Sequence, residues 1–136
     1  MTPTGYSGTP LIKKLGIGTQ VKLLLINAPG NYTELLQKNI ENQLVTCGEV
    51  PDLVHLFAKT NAAFIAGMKK ILPLCKKNPG IIVWVSWYKK SSGVITDLTE
   101  DIIRSFALKH GLVDIKVCAV TKAWSALKLV VPLAKR

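Results

Sequence analysis

The 136 residues, 14.8 kDa in mass, fit one domain with room for a core, and a hydrophobic share of 49% excludes a disordered or fibrous chain. Eighteen basic against eight acidic residues give a net charge of +10, which favours anionic partners: nucleic acid, phosphorylated ligands or an acidic protein. Apolar runs of at most about nine residues are too short for a bilayer, which takes roughly 20, and the opening MTPTGYSGTPLIKKLG lacks the cationic and apolar blocks of a signal peptide. The expectation is therefore a cytoplasmic protein with no membrane span.

Residues 1–9 read as a turn-rich lead. Thr9 and Pro10 read as the N-cap and first residue of a short helix over residues 10–15, stopped by Gly16. Residues 21–28 (VKLLLINA) form a nearly continuous apolar run, the pattern of a strand covered on both faces, and Pro29-Gly30 breaks it. A helix is predicted over residues 32–42, followed by a connector at 47–51 and a second strand at 52–58. The next helix spans residues 61–77. Its Phe64, Ile65, Met68, Leu72 and Cys75 recur at helical spacing, Lys69, Lys70, Lys76 and Lys77 share one face, and Pro73 is expected to kink it.

Residues 81–87 (IIVWVSW) are the most β-prone run in the chain and give the third strand. After a loop at 88–96, Asp97 and Glu100 have the D-x-x-E spacing of a capping box, so a helix is predicted over residues 98–109 with Gly111 as its C′ residue. Two β-rich runs, 114–120 and 126–133, joined by TKAWS, read as an antiparallel hairpin. The fold class is α/β: a Rossmann-like, mostly parallel five-stranded sheet in the order β-α-β-α-β-α-β-β, forming a single domain over residues 1–136. There is no internal repeat, low-complexity tract or linker. Cys47, Cys75 and Cys118 are far apart and odd in number. They show no CxxC or metal-ligand spacing, so they read as small buried hydrophobes and no metal site is expected.

GYSGTPLIKKLGI at residues 5–17, VSWYKKSSGVITDLTEDIIR at 85–104 and LVDIKVCAVTKAWSALKLV at 112–130 resemble an uncharacterised family of small bacterial proteins. The resemblance covers nearly the whole chain and implies no activity. Tyr88 stands where that family's third strand is followed by proline. A more distant resemblance is to the second half of class I methyltransferases, which ends in two βα units and an antiparallel hairpin, as residues 52–133 do. It implies shared topology rather than shared chemistry. Their glycine-rich cofactor turn is missing: Asn27-Ala28-Pro29-Gly30-Asn31 holds one glycine, and Pro29 offers no N–H donor. No cofactor is therefore expected.

Ligands of open α/β sheets bind outside the carboxyl ends of the strands. Those ends are residues 27–31, 59–61 and 87–97, all on one edge. Lys89, Lys90, Ser91, Ser92 and Gly93 are the leading ligand-binding candidates. Two cations, two hydroxyls and a glycine between a buried strand and a helix start suit a phosphate or carboxylate. Asp97, Glu100 and Asp101 oppose an anion placed directly on that helix terminus. The loop is not a P-loop, since GxxxxGK[ST] is absent. Trp87 ends the strand beside the lysines and could line the same pocket. Asn27 and the Tyr6-Ser7 pair complete the set, with packing of Tyr6 over the sheet edge as its competing reading.

Trp84 and Ser86 fall on one face of the third strand, Val85 and Trp87 on the other. Trp84 is expected in the core, and Trp124, in the hairpin join, is expected to need a partner. His55, mid-strand in LVHLF, reads as buried and hydrogen-bonded. His110 closes the third helix, where a cation suits the dipole. No catalytic residue can be assigned: Ser/His/Asp sets, HExxH and paired carboxylates are absent.

Right-handed crossovers in the strand order 1-2-3-5-4 would put all three helices on one face and leave the other, equally apolar, with only the short N-terminal helix. Either the first of the three crosses over, giving 2-1-3-5-4, or a second chain covers the bare face. The functions that follow are a binding module for an anionic small molecule such as a nucleotide or phosphorylated metabolite, or a homodimeric or protein-interaction module using the basic surface and a sheet face. A minimal methyltransferase-like enzyme stands behind both, as does nucleic-acid binding.

Overall fold

Strands β1 (Leu23–Ile26), β2 (Leu53–Phe57) and β3 (Ile82–Tyr88) pair in parallel, Leu23 with Leu53 and Leu53 with Ile82. Strand β5 (Trp124–Val130) runs antiparallel to β3, and β4 (Val113–Ala119) antiparallel to β5. The sheet order is β1-β2-β3-β5-β4, so β4 points the same way as the first three strands. This is the α/β, mostly parallel arrangement with a closing hairpin that the hydrophobic runs predict. The computed structural model describes residues 9–46 and 48–136, so the lead at 1–8, with Tyr6 and Ser7, and Cys47 lie outside the described residues.

Helix boundaries differ where local hydrogen bonding overrides propensity. Helix α1 (Leu11–Leu15) starts one residue late: Pro10, at ψ 145°, is its N-cap rather than its first helical residue. Helix α2 (Tyr32–Leu36) is five residues long, not eleven. Gln37 leaves the helix at φ 57°, and the Asn39 side chain accepts the Glu41 N–H at 2.9 Å, offering that backbone a competing partner. Helix α3 (Asn61–Lys77) has the predicted limits and continues through Pro73, whose ring does not end it. Helix α4 (Glu100–Lys109) is capped by Thr99, whose Oγ1 accepts the Ile102 N–H at 3.3 Å. The predicted Asp97 capping box does not form, because Asp97 serves the start of α3 instead, accepting the Asn61 N–H at 2.8 Å.

Both sheet faces are covered over β1, β2, β3 and β5, while Ile115 and Val117 on the edge strand β4 stay exposed. On one, α3 and α4 set Phe64, Met68, Ile71, Ile103 and Ala107 against Val54, Leu56, Val83, Val85 and Leu127. On the other, α1 and α2 bring Leu11, Leu15, Tyr32 and Leu36 onto Leu23, Leu53, Phe57, Trp84 and Ala126. The order is 1-2-3-5-4 and yet α2 lies opposite α3, an arrangement outside the two expected. The route of the chain explains it. After α2 it passes along the free edge of β1, where Leu44 bridges Leu23 in parallel and the Val45 N–H reaches the Leu23 carbonyl at 2.9 Å. It then turns into β2. The bare face that called for a partner chain is thus covered from within.

The α1/α2 face carries the buried polar groups. The Trp84 Nε1–H donates to the Leu15 carbonyl at 2.9 Å, pinning the end of α1 to the sheet. His55 is fully buried, with Nδ1 2.8 Å from the Tyr32 hydroxyl and Nε2 2.7 Å from the Ser86 hydroxyl. A neutral imidazole has one donor and one acceptor nitrogen, and a hydroxyl can answer either, so all three groups are satisfied. Burial lowers the His55 pKa to about 3 and raises that of Tyr32. The network is a structural tie between α2 and the two central strands, as expected for a histidine in mid-strand.

Candidate functional site

The 88–99 segment is built by strand and helix ends that stop short of each other. The Lys89 N–H donates to the Ala123 carbonyl at 2.9 Å, carrying the β3–β5 ladder one step past the strand. Lys90–Ser92 then form a 3-10 turn. Ser92 Oγ donates to the Lys89 carbonyl at 2.6 Å and accepts the Val94 N–H at 3.1 Å. Gly93 leaves the turn at φ 77°, a conformation that would strain a side chain there. Thr96 Oγ1 donates to the Lys59 carbonyl at 2.7 Å and accepts the Leu98 N–H at 3.1 Å. With Asp97 on the Asn61 N–H, this ties the segment to the turn between β2 and α3. Leu98, 1% exposed, anchors it in the core.

A cleft of about 680 Å³ lies over this segment, at the carboxyl end of β3. Its apolar wall is Trp87, Tyr88, Val94, Ile95 and Leu98, and its polar groups are Lys89, Lys90, Thr96, Thr99, Glu100 and Asp101. The Tyr88 ring is held by stacking on Trp124, with centroids 4.1 Å apart at 23°, and Trp124 meets Phe57 edge-on at 5.2 Å. Trp124 therefore has partners, as its chemistry requires, and stands at the start of β5 rather than in the join. Ile95, 98% exposed, projects from the rim.

The charges in the cleft are not equivalent. Arg104 pairs with Glu100, with Asp101 at 3.1 Å and with Asp114 at 3.0 Å. Hydrogen bonds to Glu100 and then Asp114 raise the Arg104 pKa, so its charge is permanent. These are the only ion pairs among the described residues. The two carboxylates of the cleft share this one cation with Asp114, and neither Lys89 nor Lys90 is in an ion pair among the described residues. Asp97 is turned to α3, and Glu100 and Asp101 share Arg104 with Asp114, so the acidic helix start is offset only in part.

Of the candidate residues, Trp87, Lys89, Lys90 and Gly93 line this cleft. Ser91 and Ser92 do not, and the Ser92 hydroxyl is occupied inside the turn. Asn27 lies past the carboxyl end of β1, exposed and at φ 57°, outside the cleft lining. Tyr88, Val94, Thr96 and Thr99 join the site without having been singled out. Of these, Tyr88 was legible in principle, as an aromatic following a buried strand and preceding two lysines. Asn61 Oδ1, beside the loop, is buried without a hydrogen-bond partner. Among the described residues no cluster of His, Cys, Asp and Glu could hold a metal ion, and no helix is long and apolar enough to cross a membrane. Cys75 is buried, which raises its pKa to about 11, and Cys118 is half-buried.

No family model matches the sequence, and no curated protein matches it significantly. Among solved structures, the chain is similar to an uncharacterized protein from Listeria monocytogenes serotype 4b, with a TM-score of 0.57 and 7% identity over 90% of this chain and 67% of that one. It is also similar to the B. subtilis M1A22 tRNA methyltransferase TrmK, with a TM-score of 0.52 and 11% identity over 89% of this chain and 65% of that one. A protein of the NADB-Rossmann superfamily from Streptococcus agalactiae gives a TM-score of 0.51 and 8% identity over 88% of this chain and 66% of that one. The chain spans about two thirds of the length of these structures. What it shares with them is the fold: this is a Rossmann-like α/β chain with methyltransferase-like topology.

Proposed function

We propose that the chain binds a small anionic ligand, a nucleotide or phosphorylated metabolite, in the cleft at the carboxyl end of β3. The observation that supports this reading is the charge asymmetry: Lys89 and Lys90 line the cleft and are in no ion pair among the described residues, while Glu100 and Asp101 pair with Arg104, which Asp114 shares. The anionic group sits at the two lysines, and a ring or apolar portion lies against Tyr88 and Val94.

Titration calorimetry with pyrophosphate, AMP and ATP against uncharged adenosine tests it. The expected result is saturable binding of at least one of the three anions, with adenosine weaker by about tenfold or more, a difference of about 1.4 kcal/mol. Lys89→Gln with Lys90→Gln should remove that preference. Adenosine binding as tightly as AMP, or no anion binding at millimolar concentration, overturns the reading.

A second reading, a methyltransferase-like activity, is favoured by the fold shared with TrmK. Against it, the loop after β1 has the single glycine Gly30 and no glycine-rich cradle. S-adenosylmethionine in the same titration decides between the two. Binding that survives the lysine substitutions favours the methyltransferase reading.

A further inference from the structure

The opposite edge of the sheet carries a second cleft, of about 510 Å³, between the carboxyl ends of α3 and α4. It shares no residue with the first. Leu72, Cys75, Pro79, Leu112 and Val131 make an apolar floor, and Lys76, His110 and Lys135 stand on the rim. Among the described residues no carboxylate lines it.

Cations at helix carboxyl ends commonly serve the orphan carbonyls there. Here three of those carbonyls have other donors. The Phe106 carbonyl takes the His110 N–H at 3.2 Å and its Nδ1–H at 2.8 Å. The Ala107 carbonyl takes the Leu112 N–H at 2.9 Å, and the Leu74 carbonyl takes the Asn78 N–H at 2.9 Å. Every ion pair among the described residues belongs to Arg104, so neither Lys76 nor Lys135 is in one. Lys135 is brought over the cleft by the turn Leu133–Lys135, which Arg136 holds through Nε on the Val131 carbonyl at 2.9 Å. A Cβ placed on Gly111 would lie 3.9 Å from the Lys135 ammonium.

We propose that this cleft binds a small amphiphilic anion: one carboxylate or phosphate head on an aliphatic or aryl body. The body lies on Leu72, Cys75, Leu112 and Val131, removing apolar surface from water, and the head meets Lys76 and Lys135. The volume falls within the range of about 300–1,000 Å³ typical of small-molecule sites. The occupant is a free small molecule rather than a membrane surface, because the apolar groups form a recessed floor and the cations its rim.

Octanoate and its uncharged counterpart 1-octanol are the probes, titrated into the full chain with amide chemical shifts as readout. Expected is saturable octanoate binding with shift changes confined to residues 72–79, 110–112 and 131–135, and at least tenfold weaker binding of 1-octanol. Lys76→Gln with Lys135→Gln should cost octanoate at least tenfold without changing the thermal midpoint, since both side chains are exposed. Equal affinity for the two probes, shift changes at residues 87–101 instead, or no saturation overturns the proposal. So does binding to vesicles of anionic phospholipid without any binding of octanoate. Because the shifts locate the ligand, failure here leaves the first cleft's ligand a separate result.

Discussion

The two faces of the sheet are held by different physics. Under α3 and α4, helices of 17 and 10 residues, the core is apolar throughout. Under α1 and α2, each five residues long, the core includes His55, Ser86, the Tyr32 hydroxyl and the Trp84 indole nitrogen. A helix of five residues has little apolar surface to bury and is not stable alone. Hydrogen bonds to the sheet fix where such a helix sits, a task that a long amphipathic helix performs by packing alone. The difference teaches that a short helix can complete a sheet face if the sheet supplies directional contacts for it.

The largest loss of stability is expected on the apolar face. Phe64→Ala removes a fully buried ring and should cost about 3–5 kcal/mol in denaturant unfolding. A loss below 1 kcal/mol would show that the face collapses around the gap.

Acid separates the faces by another route. His55 has a folded pKa near 3, below its ordinary 6.5, so between these values the unfolded chain binds a proton that the folded chain excludes. The stabilisation is complete above pH 6.5 and falls away as pH drops toward 3, by up to about 1.4 kcal/mol per unit. Measured from pH 6.5 to 5, above most carboxylate titrations, the slope should flatten in His55→Gln. An unchanged slope would remove His55 from the account.

Tyr32→Phe should cost about 1–3 kcal/mol by leaving His55 Nδ1 unpaired. Hydrogen exchange should quicken in residues 32–36 and not in α3. Uniform quickening would mean that α2 is not held separately. The smallest expected effect is Thr99→Ala, about 1 kcal/mol from the lost cap of α4. Asp97→Ala should instead loosen the 94–97 loop and the start of α3. If Asp97→Ala frays α4 and Thr99→Ala does not, the cap assignment is reversed.

Much of the fold is legible in the sequence. Helix α3 was readable to its last residue because Phe64, Ile65, Met68, Leu72 and Cys75 recur at helical spacing and Asn78-Pro79-Gly80 stops the run. Of the candidates Trp87, Lys89, Lys90, Ser91, Ser92 and Gly93, the structure puts Trp87, Lys89, Lys90 and Gly93 on one cleft; a buried strand ending in a charged loop is a local pattern, whereas the turn that engages the Ser92 hydroxyl is not readable from it. The length of α2 was not readable: residues 37–42 have helical composition, and only the Asn39 side chain bond and the turn at Gln37 end it. Nor was the partner of Asp97, because Asp97 and Asn61 are 36 residues apart and their contact depends on how two loops meet.

The class of the fold, the direction of its strands and the edge where a ligand would be sought follow from local sequence, since hydrophobic period and turn chemistry act over a few residues. Tertiary structure alone decided which helix lies on which face, which carboxylates Arg104 engages and which lysines are left free. Those depend on register and on the path of the chain around β1, set by packing between segments that no local pattern connects.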